Sequence, residues 1–173
     1  MERWGAELYG DPCRDCGFAW SLDPPEAIAL VRGLPDRARL LLAGHTGLER
    51  RPDLAWSAAA YVSHVTDNLR NWAERLAGAR CGGAFDVPGY DPDLIAAARR
   101  YNEISSAAAL WSLERAVDAW AESVAGALRE QIVLRHATRG LQRAEDVARN
   151  NAHDGQHHLW DIGRILAYSR TSS

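Results

Sequence analysis

Two imidazoles, His153 and His157, stand four residues apart in the run Asn151-Ala-His153-Asp154-Gly-Gln-His157-His158-Leu-Trp-Asp161. On a helix, positions i and i+4 share a face with Cβ atoms about 5–6 Å apart, so both rings can address one ion. Such an ion needs a further ligand and an open position before it can do chemistry. The zincin protease pattern His-Glu-x-x-His has the same spacing. Here its second position is Asp154, one methylene shorter than the glutamate that serves as general base, and Gly155 weakens the helix. No third-ligand helix or strand for peptide docking is visible, so protease chemistry is set aside.

The elements that must position these rings read as helices. Asp23, Pro24 and Glu26 form a capping-box start, followed by a first helix that Gly33-Leu-Pro35 should kink. A second helix is expected over about 53–76, with Leu54, Ala58, Tyr61, Val62, Val65, Leu69, Trp72 and Leu76 as its apolar stripe and Gly78 as its stop. A Gly- and Pro-rich connection follows, with a short helical piece near 92–100. A third helix is expected over about 104–132 and a fourth over about 144–168, and 135–140 reads as a loop. No segment shows sustained strand alternation. These elements make an all-α fold, a four-helix bundle with a long connection between helices 2 and 3. One domain over 1–173 is expected, with an irregular segment at 1–22 and the bundle at 23–169.

In a bundle, metal sites are built from inward side chains on facing helices. His64 occupies the apolar stripe of helix 2, and His153 and His157 the equivalent stripe of helix 4. Three neutral imidazoles on two helices form a facial site for a first-row divalent ion: zinc first, nickel or iron as alternatives. One histidine on a helix face is most often an ordinary core or surface residue. All three here fall at core-facing positions, where an unpaired polar ring would cost stability. His158 points about 100° away from His157 and reads as a supporting or surface group. His45 and His136 fall in loops.

Composition narrows the function classes. The net charge of −3 gives no reason to expect nucleic acid. All basic residues are arginine, which removes lysine Schiff-base chemistry. No apolar run approaches the ~20 residues of a membrane span, and the N-terminus Met1-Glu-Arg-Trp-Gly lacks a signal pattern. A cytoplasmic protein acting on a small molecule, monomer or homodimer, is the expectation. Three cysteines suit a reducing compartment. Seven tryptophans are many, and Trp56, Trp72, Trp111, Trp120 and Trp160 fall at helical core spacings, as core or pocket wall.

Three stretches carry a family resemblance: Tyr61-Val-Ser-His64-Val-Thr-Asp67-Asn-Leu-Arg-Asn-Trp72-Ala-Glu74-Arg75-Leu76, the paired-histidine run Asn151 to Ile162, and Cys13-Arg-Asp-Cys16-Gly17-Phe18. In order and spacing the chain resembles the DinB superfamily, four-helix bundles that include mycothiol-dependent maleylpyruvate isomerases and bacillithiol or mycothiol S-transferases. The resemblance implies His64, His153 and His157 as metal ligands. It also implies a metal-dependent enzyme in which a low-molecular-weight thiol such as mycothiol attacks an electrophile or adds reversibly to an alkene. Other readings stay open: a non-catalytic metal- or small-molecule-binding bundle in stress response, or a hydrolase or cyclase that uses water and no thiol.

Asp67 and Asp161 could orient an imidazole or add a ligand, or be surface acids paired with Arg70 and Arg164. Cys13 and Cys16 could be half of a zinc knuckle, a redox pair, extra ligands bent toward the histidines, or a small buried pair. A structural zinc site needs four ligands, and no second Cys-x-x-Cys exists.

Overall fold

Turns more than regular structure organise the chain ahead of Pro24. The computed structural model describes residues 2–171; Met1 and residues 172–173, the ends of the expected domain, lie outside the described residues. The N-terminal segment contains one short helix, α1 (Ala6–Tyr9). The first bundle helix then begins as its sequence dictates, with the Asp23 N–H donating to Glu26 at 3.1 Å and prolines in the first turn. It breaks completely at Gly33, giving α2 (Pro24–Arg32) and α3 (Leu34–Leu42). Pro35 explains the break, since it has no N–H for the preceding turn and suits only the first turn of a new helix.

Helix α4 (Ala58–Gly82) starts later and ends later than periodicity suggests. Ser57 is its N-cap, accepting from the Ala60 N–H at 3.3 Å. Gly78 stays helical, and Gly83, at φ 67°, takes the left-handed terminal position. The long connection holds β1 (Asp86–Val87), α5 (Pro92–Ala98) and a 3-10 turn (Tyr101–Glu103). Helix α6 (Ser106–Arg129) follows, then β2 (Val133–His136), β3 (Gly140–Arg143) and α7 (Ala144–Thr171).

The small sheet corrects the expectation of a loop at 135–140 and no strand. β2 and β3 pair antiparallel, and β1 joins β2 in parallel, in the order β1-β2-β3. Burial does alternate along β2, but the residue types do not follow it: Val133 is exposed and polar His136 is buried. Gly140, at φ 74°, closes the tight turn between the strands.

The four-helix bundle expected from sequence is the observed fold. α4 lies against α6 and α7, while α2 and α3 pack on α6 and α7. Trp120, Leu69, Leu76, Leu113 and Ile165 are buried at the centre, and the Trp120 indole donates to Asn151 Oδ1 at 2.8 Å. Trp111 is a correction: it is 59% exposed under the Arg115 guanidinium. Two steps of about 100° separate it from both Ala109 and Leu113, so it faces away from the buried stripe those residues define. Among the described residues, no helix is long and apolar enough to cross a membrane.

Gly155 sets the approach of α7 to α3. A Cβ there would lie 2.4 Å from Leu34 Cδ1, and Leu34 is itself buried. Gly155→Val therefore overpacks a tight contact, and denaturant unfolding is expected to show a loss of about 1–3 kcal/mol.

Candidate metal centre

Successive residues on α7 point about 100° apart, so the pairs 153/157 and 154/158 form two ligand faces on one helical turn. The face bearing Asp154 and His158 turns to α4, where it meets His64. Ligand atoms of these three residues all lie within 4.8 Å of one another. His64 Nε2 is 3.7 Å from Asp154 Oδ1, and His158 Nε2 is 3.5 Å from the same oxygen. Ligands held at about 2.0–2.2 Å around one tetrahedral ion stand slightly closer together than this, so small rotations would complete the shell. Two imidazole nitrogens and one carboxylate oxygen suit zinc or another first-row divalent ion. The donor set fits a cation held by three protein ligands with at least one position open.

Neighbouring groups fix the orientation of each ligand. Asn68 donates to Asp154 Oδ2 at 2.8 Å and accepts from the Tyr90 hydroxyl at 2.9 Å, leaving Asp154 Oδ1 toward the imidazoles. Asp161 Oδ2 lies 3.1 Å from His158 Nδ1, a pairing that keeps a ring proton on Nδ1 and turns Nε2 toward Asp154, where a metal ion would take the place of the second ring proton. Arg164 in turn holds Asp161 at 3.3 Å. Trp56 packs on His64 with centroids 4.9 Å apart.

The electrostatics favour a cation at this point. Burial disfavours a charged Asp154, yet His158 and His64 hold its carboxyl well below the ordinary range. Burial likewise opposes charge on His158, but Asp154 and Asp161 outweigh it and push the imidazole up to about 9.

The second face of α7 turns to the N-terminal segment. His153 and His157 stand with Cys13 and Cys16, their four ligand atoms also within 4.8 Å of one another. The three-histidine set expected from sequence is thus divided, His64 grouping with Asp154 and His158 and the other two rings with the cysteines. The reason is angular: His64 lies across from the 154/158 stripe, about 100° from the 153/157 stripe. Asp67 enters neither group; its carboxylate is taken by the Tyr101 hydroxyl, Arg99 and Arg70. Asp161 does orient an imidazole, that of His158.

The sequence reading gives Asp154 no ligand role and His158 only a supporting or surface one, and it does not single out Asn68 or Tyr90. The usable signal was the overlap of two i, i+4 frames in His153-Asp154-x-x-His157-His158. The second frame reads Asp-x3-His, as good a ligand pair as the first.

A cavity of about 630 Å³ opens onto His64, Asp154 and His158. Its walls include Trp56 and Trp72 from the α4 side, Tyr90 from the connection, and His136 and Arg139 from the hairpin. Arg75 also lines it, stacked 4.7 Å over Trp72, with one nitrogen donating to the Pro88 carbonyl and its Nη1 buried without a partner. Burial lowers the Arg75 pKa. The His136 Nδ1 accepts the Thr138 and Arg139 backbone N–H groups at 3.3 Å, and burial lowers its pKa too.

Fold and site together define a helical bundle with a side-chain group able to hold a metal ion beside a cavity. Among solved structures, the fold matches YfiT from Bacillus subtilis, described as "a probable metal-dependent hydrolase with an unusual four-helix bundle topology". The TM-score is 0.71 over 86% of this chain and 87% of that one, at 16% identity, a likeness of fold. The four-helix-bundle architecture expected from the sequence is therefore observed. No known family model matches the chain, and no curated protein matches it in sequence.

Asn68→Ala removes the donor that aims Asp154. Calorimetric titration with zinc is expected to show affinity at this centre reduced by about 10–100-fold, with the helical circular dichroism unchanged.

Proposed function

We propose that the protein is a divalent-metal-dependent enzyme acting on a small anionic molecule, with the ion held by His64, Asp154 and His158. The observation that carries this reading is the convergence of three oriented donors on the wall of a cavity. Three protein ligands leave a position for a reactant, the arrangement of catalytic rather than structural sites. The cavity lies in the size range of small-molecule pockets, about 300–1,000 Å³. An ion there would lower the pKa of a coordinated thiol or water and make it nucleophilic at neutral pH.

The chain's own residues supply the rest. Asn68 and Asp161 hold the ligands in place, and Trp56 and Trp72 exclude water along one wall. Arg75 is suited to the carboxylate of a substrate, because its free Nη1 is desolvated and already fixed by stacking. We read the reaction as a thiol-dependent S-transfer or isomerisation of an electrophile, supported by the family resemblance of the 61–76 and 151–162 runs. The description of YfiT favours a second reading, in which water is the nucleophile and the reaction is hydrolysis.

Zinc-loaded protein incubated with an electrophilic carboxylate, with and without a low-molecular-weight thiol, separates these readings. Thiol-dependent turnover supports the first, and thiol-independent hydrolysis the second. His64→Ala and Asp154→Ala are expected to lower turnover to background and to release the ion, as measured by elemental analysis. Metal retained in full by both variants would refute the assignment.

Arg75→Met is expected to raise KM for an anionic substrate by about 10–100-fold, the worth of one charge-assisted hydrogen bond, with zinc content unchanged. An unaltered KM would show that the anion binds elsewhere.

A further inference from the structure

We propose that Cys13, Cys16, His153 and His157 form a second metal centre, closed and structural, that binds zinc and clamps the N-terminal segment onto α7. All four ligand atoms lie within 4.8 Å of one another, and Cys13 Sγ is 3.8 Å from His157 Nδ1. Around a tetrahedral zinc with bonds of about 2.3 Å to sulfur and 2.0–2.1 Å to nitrogen, ligand atoms sit roughly 3.3–3.8 Å apart. The group is therefore already near the geometry it needs.

The turn that carries the cysteines is built for this placement. The Cys13 N–H donates to the Phe18 carbonyl at 2.8 Å, and the Gly17 N–H donates back to the Cys13 carbonyl at 2.9 Å. Gly17, at φ 71°, takes the left-handed conformation that lets the chain reverse directly after Cys16. The two thiols thus project together toward the 153/157 face of α7.

An independent mark of a ligand comes from His153. This residue is 4% exposed, and its Nε2 has no hydrogen-bond partner. A buried nitrogen left so costs stability, which coordination would recover. The ring is enclosed by Tyr9 and Trp20, with centroids 4.5 and 4.6 Å away, and by Phe18 at 5.5 Å. His157 turns Nδ1 to Cys13 and Nε2 to the opposite side, where Asp161 stands 3.9 Å away.

Four protein donors leave no position for a reactant, the property that separates structural zinc from catalytic zinc. Two thiolates and two imidazoles select zinc over the harder ions that oxygen ligands prefer. The role follows from position. The segment that bears the cysteines also supplies Trp4, Leu8 and Tyr9 to the cavity wall. The bundle encloses its cavity on that side only while the segment is held down.

The centre is independent of the proposed reaction and can be tested apart from it. Full-length protein loaded with zinc and dialysed is expected to retain two equivalents per chain. Cys13→Ser/Cys16→Ser should lose one equivalent, and His64→Ala/Asp154→Asn should lose the other. In the reduced protein loaded with cobalt(II), a sulfur-to-cobalt charge-transfer band is expected in the wild type and in His64→Ala/Asp154→Asn. This measurement stands even if the cysteine variant fails to fold. Hydrogen exchange should quicken across residues 2–22 when zinc is stripped from the wild type. No charge-transfer band, a Cys13–Cys16 disulfide in the zinc-loaded protein, or undiminished zinc in a folded cysteine variant would overturn the proposal. A band that persists while His64→Ala/Asp154→Asn loses no ion supports this centre and sinks the catalytic one alone.

Discussion

The helical repeat of α7 over residues 153–158 is the constraint on which the site depends. Two ligand pairs, each four residues apart, are offset by a single residue, so one rigid turn addresses α4 with one face and the N-terminal segment with the other. Backbone geometry sets that division, because neighbouring positions on a helix point about 100° apart. Gly155 sits within the same turn and gives up its side chain so that Leu34 can close on the helix. The position that brings α7 near enough to its neighbours thus lies between the ligands themselves.

Asp161 joins the two faces one turn further along. Its Oδ2 hydrogen-bonds His158 at 3.1 Å and stands 3.9 Å from His157, so one carboxylate faces a ring from each pair. Arg164 holds that carboxylate and reaches Asp53 as well, at 2.8 Å. The ligand groups are therefore neighbours through a shared helix turn and a shared anion, and the bundle has few ways to adjust one without the other.

Much of the fold was legible because bundle helices announce themselves through spacing and punctuation. Asp23, Glu26 and the prolines marked the start of the first helix, and the apolar stripes marked the rest. The errors were local and have physical causes. Gly78 reads as a stop, yet α4 continues through it because the left-handed position falls to Gly83. The hairpin escaped notice because a four-residue strand that exposes Val133 and buries His136 carries no apolar alternation. At the site, the histidine-rich turn was visible, but which ring belongs with which partner depends on the rotation of α7 relative to α4 and to the Cys13–Cys16 turn. Spacing within one helix does not contain that information. Asn68 and Tyr90 were beyond reach for a related reason, since each matters only through a contact made across the fold.

The aromatic packing around the ligands has an optical consequence. Trp20 lies 4.6 Å from the His153 ring, and Trp56 lies 4.9 Å from the His64 ring, so each ligand group has its own indole at van der Waals range. Indole emission responds to charge and to quenching side chains at such separations. Of the seven indoles in the chain, Trp20 and Trp56 therefore sit beside different groups, and the change in emission on replacing either with phenylalanine isolates its share of the signal.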